Sequence, residues 1–220
     1  HAGQICDSYF LAWTKGRLNS NVLLAGKGAT AGRYHSPWGK KDLRKVIEAF
    51  GRAPEWRILD DRESRPASTW RSAPFLYLFT TALDRDLSVC RGDGKPPVPV
   101  FRLPVTWDVK ERLYRWKGSY YHHDNIWLAC GALERAAYRQ LADLKSQLSV
   151  EGRDLCREIE TATGVPVYYY LMQYKGWRGG EVHKACPGCD GAWRTESLPE
   201  PSRRWWQFIF KCDLCRLVSN

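Results

Sequence analysis

Two Cys-x-x-Cys pairs near the C-terminus constrain the fold of this chain more than any other feature. They consist of Cys186 with Cys189 and Cys212 with Cys215, and 22 residues separate the pairs. Each tight turn points two thiolates at one place, and two such turns supply the tetrahedral sulfur shell that zinc prefers. The spacing predicts a zinc ribbon over residues 179–220 with one structural zinc ion. A redox dithiol in the first pair is the alternative, but no thioredoxin-like pattern surrounds it.

The segment between the two pairs predicts a hairpin with aromatic and basic residues on its surface. The stretches AWRTESL and WWQFIFK would form its strands. We expect one face to pack within the protein. Trp205 or Trp206 beside Arg203 and Arg204 could instead contact a partner, either single-stranded nucleic acid or another protein.

Residues 1–178 predict one main domain of the α+β class, because strand and helix patterns follow each other without regular alternation. Apolar runs around a Lys-Gly-Arg turn predict a hairpin at the start. The stretches FLYLFTT and VPVFRLPVTW predict strands, the second at an edge or broken by Pro99 and Pro104. Helices are predicted at about 125–147 and 149–163, with Gly164 as the stop of the second. The stretch VPVYYYLMQY predicts a strand buried on both faces.

A short amphipathic helix is predicted in SPWGKKDLRKVIEAFGR, ending at Gly51. It carries a basic face around Lys40, Lys41, Arg44 and Lys45. The chain has a net charge of +10, and residues 14–57 account for +7 of it with ten basic and three acidic residues. This face is either an ordinary solvated surface or a contact for phosphates or acidic groups.

The stretch YYHHDN is a possible site because His122, His123 and Asp124 are metal-ligand or base types. Neighbours in sequence point in different directions, so we expect an exposed turn with Asp124 as the N-cap of a helix. No other combination of residues forms a catalytic set. The sequence therefore predicts neither an enzyme nor a small-molecule substrate.

The other four cysteines are predicted to be buried thiols that act as small hydrophobic residues: Cys6, Cys90, Cys130 and Cys156. Two metal-binding pairs with scattered single cysteines favour a reducing cytoplasm. No apolar run approaches the roughly 20 residues that a membrane crossing needs, so no membrane partner is expected. The first residue is His1 rather than Met, which leaves open a leader upstream.

The stretch SVEGRDLCREIETATGVPVYYYLMQY, the two cysteine pairs and the terminal CRLVSN together resemble an uncharacterised bacterial family of zinc-ribbon-containing proteins, for which nucleic-acid binding has been suggested. The resemblance covers about residues 75–220. Members usually carry another Cys-x-x-Cys just before the stretch matching VPVFRLP. Here that place begins with Cys90 and lacks the second thiol, so a second metal site is not predicted.

The tail is also similar to a double-Cys-x-x-Cys group from predatory soil bacteria, some of whose members are immunity proteins that neutralise a co-encoded toxin. Both resemblances imply a protein that works by binding. We therefore expect non-catalytic binding of nucleic acid through Lys40, Lys41, Arg44 and Lys45, helped by Arg203, Arg204 and Trp206. The alternative is capture of an acidic protein partner, such as a toxin.

Overall fold

The computed structural model describes residues 3–59, 68–83, 88–173, 185–193 and 208–219, and only the backbone of residues 6–10. It combines helices with one antiparallel two-stranded sheet and one mixed five-stranded sheet, which confirms the α+β class. The helices are α1 (Pro37–Phe50), α2 (Trp107–Leu128), α3 (Glu134–Ala142) and α4 (Gln147–Thr163). The strands are β1 (Ile5–Thr14), β2 (Arg17–Leu24), β3 (Leu76–Leu78), β4 (Val89–Arg91), β5 (Val167–Tyr170), β6 (Phe210–Cys212) and β7 (Leu217–Ser219).

The central feature is a five-stranded sheet in the order β4-β3-β5-β7-β6. Strand β5 pairs in parallel with β3 on one side and with β7 on the other, whereas β4 and β6 are antiparallel to their neighbours. The two strands beside the second cysteine pair thus continue the sheet formed by earlier residues. The boundary predicted at residue 178 lies outside the described residues and stays a prediction.

Both faces of this sheet are covered by apolar side chains. Alternate residues of β3 and β5, such as Leu76 and Tyr169, belong to one core with Trp116 of α2 and Ile159 of α4. The other face carries an aromatic layer made by Phe75, Tyr77, Phe79, Tyr168, Tyr170 and Phe208. This confirms that β5 is a strand buried on both faces, which explains its run of tyrosines.

The first hairpin and α1 are also confirmed. Strands β1 and β2 join through Lys15 and Gly16, which have φ of 50° and 72°. Positive φ at both turn positions matches the twist of a hairpin. Ser36 caps the start of α1, and its Oγ accepts from the Gly39 amide at 2.9 Å. The left-handed Gly51 follows the last helical residue.

Among the residues whose side chains the structure describes, those of the hairpin and α1 do not belong to the core described above. Helix α1 has no buried residue. The region between β2 and α1 touches the body through an edge contact of the Tyr34 and Phe101 rings at 4.7 Å. Arg102 adds a hydrogen bond of 3.0 Å to the Lys27 carbonyl. The N-terminal elements are therefore displayed on the surface.

Two element predictions are wrong. The stretch VPVFRLPVTW forms a 3₁₀ turn at Val100–Arg102 instead of a strand, because the flanking prolines lack the amide that a ladder needs. The helix predicted at 125–147 is divided between α2 and α3. The break lies at Cys130, whose φ of 50° ends the helical path.

The stretch YYHHDN is likewise not a turn but the last part of α2. Asp124 is buried there, and its Oδ2 accepts hydrogen bonds from the Ala82 amide at 2.7 Å and the Thr81 hydroxyl at 3.0 Å. It therefore caps the chain leaving β3 rather than the start of a helix. His123 Nδ1 donates to the Ser119 carbonyl at 2.8 Å within the same helix.

The single cysteines differ in their surroundings. Cys90 and Cys156 are buried, as predicted. Cys130 is exposed, which contradicts the prediction, because the break between α2 and α3 turns it to solvent. The side chain of Cys6 lies outside the described residues. None of the helices in the described part combines the length and apolar composition that a bilayer crossing needs.

Candidate metal centre

Each Cys-x-x-Cys pair forms a tight turn in which a backbone amide points at a sulfur. The Gly188 amide donates to Cys186 Sγ at 3.4 Å, and the Cys215 amide donates to Cys212 Sγ at 3.3 Å. Amide donors of this kind favour the charged thiolate. The two turns, which we call the first and second knuckle, are built alike although they are far apart in sequence.

A left-handed residue follows each knuckle. Asp190 has φ of 57° and Arg216 has φ of 52°. In the first knuckle this conformation lets the Asp190 amide donate to the Cys186 carbonyl at 2.8 Å. Since few L-residues adopt positive φ without cost, both positions are local constraints on the site.

The two knuckles bring the four predicted ligands together. The sulfur atoms of Cys186, Cys189, Cys212 and Cys215 all lie within 4.8 Å of one another. The distance from Cys189 Sγ to Cys212 Sγ is 3.7 Å. Cys186 and Cys212 are buried, whereas Cys189 faces solvent. These four side chains could hold a metal ion.

The surroundings shift the pKa values of the cysteine thiols in different directions. Burial raises the pKa of Cys186 and of Cys215, so these thiols resist ionisation on their own. The Gly191 amide is the main reason that the pKa of Cys189 is lowered. A metal cation would supply the positive charge that holds all four groups as thiolates, and its binding would release protons.

The glycine of the first knuckle permits its close approach to the second. A Cβ atom at Gly188 would lie 2.8 Å from Cys215 Sγ and 3.6 Å from a methyl carbon of Leu144, between α3 and α4. Any larger residue would therefore displace a sulfur atom. The spacing of the cysteines does not reveal this requirement, and the glycine within CPGC is its one signal in the sequence.

The second knuckle is fastened to the main sheet and to α4. Arg216 donates to Glu160 of α4 with Nε at 3.1 Å and Nη2 at 2.9 Å. Tyr168 of β5 donates its hydroxyl to Asp213, which also pairs with Lys211 at 2.7 Å. Lys211 and Arg216, the two basic residues next to this cysteine pair, each have a carboxylate partner.

The turn that follows Cys90 is held by a buried arginine. Cys90 is buried in β4, and three residues later Asp93 accepts a hydrogen bond from Arg91 Nε at 2.8 Å. Arg91 is itself buried and donates to the Ser72 carbonyl at 3.1 Å. Its hydrogen bond lowers the pKa of Asp93 to about 2. An ion pair thus stabilises this turn.

The predicted basic face is on the surface of α1. The side chains of Lys40, Lys41, Arg44 and Lys45 are all exposed. Lys45 pairs with Asp42 at 3.3 Å, and both side chains are more than half exposed. The other predicted contact residues, Arg203, Arg204 and Trp206, lie outside the described residues.

Comparison with known proteins places the chain among bacterial relatives. A family described as Domain of unknown function (DUF2310) matches residues 71–172. A protein of Haemophilus influenzae named only "Uncharacterized protein" is 31% identical over 163 residues, which cover 73% of this chain and 78% of the relative. The chain belongs to this uncharacterised bacterial family.

A second family member from Haemophilus influenzae, also named "Uncharacterized protein", is 31% identical over 163 residues, but these cover 60% of its length. A separate family described as Domain of unknown function (DUF8594) matches residues 178–220, the part of the chain with the four cysteines. No solved structure matches the chain significantly. The family relationship itself supplies no activity.

Proposed function

We propose that this protein acts by binding nucleic acid without catalysis, and that its four cysteines hold one structural zinc ion. The observation that carries the binding proposal is the exposure of α1. Its basic side chains lie on a helix with no buried residue. A displayed basic face of this kind is the electrostatic footprint of a phosphate-binding surface.

Zinc fits the donor set of the cysteine centre. Four sulfur ligands favour zinc or iron over harder cations. With Zn–S bonds of about 2.3 Å, the edges of a tetrahedron are roughly 3.8 Å long. The Cys189–Cys212 distance of 3.7 Å already matches, and the widest separation of 4.8 Å needs only a small contraction. Four protein ligands leave no place for a reactive water, which supports a structural role.

The zinc proposal is tested by elemental analysis of freshly purified protein, with one zinc per chain as the expected result. Cys189→Ser and Cys212→Ser should lose the ion and unfold the tail. Cys130→Ser is the matched control, because this cysteine is exposed and outside the cluster. Clearly less than one zinc per chain in the unmodified protein would refute the assignment.

The charges on α1 are available to a ligand. The Lys45–Asp42 pair is exposed on both sides, and such pairs contribute about 0–1 kcal/mol, so a phosphate could replace the carboxylate. The surrounding segment, residues 14–57, has a net charge of +7. A polyanion is therefore attracted to this part of the molecule over a distance of about 8–10 Å in physiological salt.

The binding proposal is tested by measuring affinity for nucleic acid at several salt concentrations. We expect a steep fall with salt, because each phosphate contact releases counterions. Lys41→Ala with Lys45→Ala should reduce the slope by about 1–2. Lys145→Ala is the control, since Lys145 is an exposed lysine between α3 and α4. Binding that hardly changes between low and moderate salt would contradict the proposal.

A second candidate function is capture of an acidic protein, as by an immunity protein that neutralises a toxin. The first hairpin favours protein capture, because Leu11, Trp13 and Leu18 share one face of this hairpin and are all exposed. Exposed apolar patches with a tryptophan are typical of protein contacts. This function predicts a stoichiometric, nuclease-resistant complex in the native host that Trp13→Ala disrupts. A reducing cytoplasm would suit both candidates.

A further inference from the structure

An exposed tryptophan lies on the basic side of α1. Trp38 is 65% exposed in the first turn of the helix. Residues three and seven positions apart share one side of a helix, so Trp38, Lys41 and Lys45 lie in one row. The half-buried Leu43 and Ile47 lie on the opposite side. The helix therefore presents an aromatic surface and two cations together.

We propose that the ligand of α1 is single-stranded nucleic acid and that one of its bases stacks on Trp38. This inference rests on the proposed function and specifies its ligand. In a duplex the faces of the bases are stacked on each other, and only the edges are open to a protein. A single strand offers free base faces, for which an exposed indole is a good partner, and phosphates for the neighbouring lysines.

The spacing of the row suits a strand that runs along the helix. With a rise of about 1.5 Å per residue, Lys41 lies roughly 4.5 Å and Lys45 roughly 10.5 Å beyond Trp38 along the axis. The base stacked on Trp38 would thus be followed by phosphates that meet the two lysines in turn. Asp42 and Glu48 are the acidic residues on this side, and the pair of Asp42 with Lys45 must open for a phosphate to bind.

The tryptophan of the first hairpin provides a matched comparison. Trp13 is also 65% exposed, but its neighbours on the same face of the first hairpin are Leu11 and Leu18 rather than lysines. It offers the same aromatic area without the same row of cations. An effect at Trp38 that is absent at Trp13 therefore reports on the proposed site and not on aromatic exposure in general.

The experiment measures fluorescence anisotropy of the full metal-loaded chain with a labelled oligothymidylate of about fifteen nucleotides and with a duplex of the same length. We expect tighter binding of the single strand. Trp38→Ala should weaken it about tenfold or more, as expected for loss of one stacked base. Trp38→Phe should keep part of the affinity, Asp42→Asn should increase it, and Trp13→Ala should leave it unchanged.

Two results would overturn the inference in distinguishable ways. Equal binding of both probes with no effect of Trp38→Ala would remove the single-strand site but leave nucleic-acid binding through the lysines intact. No binding of either probe at low salt would remove the proposed function and the inference with it. A folded state of Trp38→Ala, checked by circular dichroism, ensures that lost binding reports on the lost ring.

Discussion

At the scale of single residues, Arg216 connects the second knuckle to α4. It follows the last cysteine directly, and its guanidinium reaches Glu160 through three hydrogen bonds of 2.9–3.2 Å. Glu160 also accepts from the Val167 amide at 2.8 Å, at the start of β5. The Glu160 carboxylate therefore connects the end of α4, the start of β5 and the second knuckle.

This arrangement predicts a pH-dependent contribution to stability. Burial alone would raise the pKa of Glu160, but Arg216 and the Val167 amide outweigh it and lower the pKa below the ordinary 4.5. The stabilisation is therefore present above pH 4.5 and is lost as the pH falls through the lower value of the folded state. Glu160→Gln should cost about 1 kcal/mol in urea unfolding at pH 7, since the pair is partly exposed.

The difference between Glu160→Gln and the unmodified protein should shrink as the pH is lowered below 4.5. Glu158→Gln is a useful comparison, because Glu158 is more exposed and pairs with Arg112 of α2 rather than with the knuckle. A difference that stays constant down to the acid transition would show that the carboxylate charge of Glu160 is not the source of the effect.

At the scale of elements, α4 approaches the sheet closely because of a glycine. A Cβ atom at Gly152 would overlap the Tyr169 ring and lie 2.7 Å from Trp116 Nε1. The Trp116 indole donates to the Leu148 carbonyl at 3.1 Å, so it has little freedom to move away. Gly152 therefore sets the distance between α4, α2 and β5.

We predict opposite effects for the same substitution at two helical glycines. Gly152→Ala should destabilise the protein by about 1–3 kcal/mol through overpacking. Gly118→Ala in α2 should stabilise it by roughly 0.5–1 kcal/mol, because nothing lies within 4 Å of the added methyl and alanine favours helix. Thermal and chemical unfolding of both variants measure the change in the free energy of unfolding. Equal effects of the two changes would contradict the packing argument.

The elements also show what the sequence could and could not predict. Helices α1 and α4 were predictable because their apolar residues repeat at the helical period, and strand β5 because its apolar run is continuous. Most of α2 was missed, since its buried side includes Trp116, Tyr120 and the charged Asp124 rather than simple aliphatic residues. The cysteine spacing predicted the candidate ligands, but the contact of Arg216 with Glu160 depends on tertiary structure and leaves no local pattern.

At the scale of the whole molecule, the cysteine centre is part of the main sheet. The second knuckle lies between β6 and β7 in the sequence and therefore connects two neighbouring strands of the five-stranded sheet. Strand β7 in turn pairs with β5. The Tyr169 amide donates to the Arg216 carbonyl at 2.8 Å, and the Leu171 amide donates to the Val218 carbonyl at 2.9 Å. A disturbance at the knuckle should therefore reach β5.

We predict that a chelator, by removing the zinc ion proposed above, destabilises the sheet and not only the tail. Structural zinc contributes about 10–16 kcal/mol in isolated finger peptides, comparable to the total stability of a domain. Amide hydrogen exchange at Tyr169 and Leu171 should become at least about tenfold faster, which corresponds to a loss of roughly 1.4 kcal/mol of local stability. The amides of β1 and β2 serve as the internal control, because the first hairpin forms a separate sheet. Unchanged exchange at β5 after complete metal removal would mean that the knuckles unfold independently of the sheet.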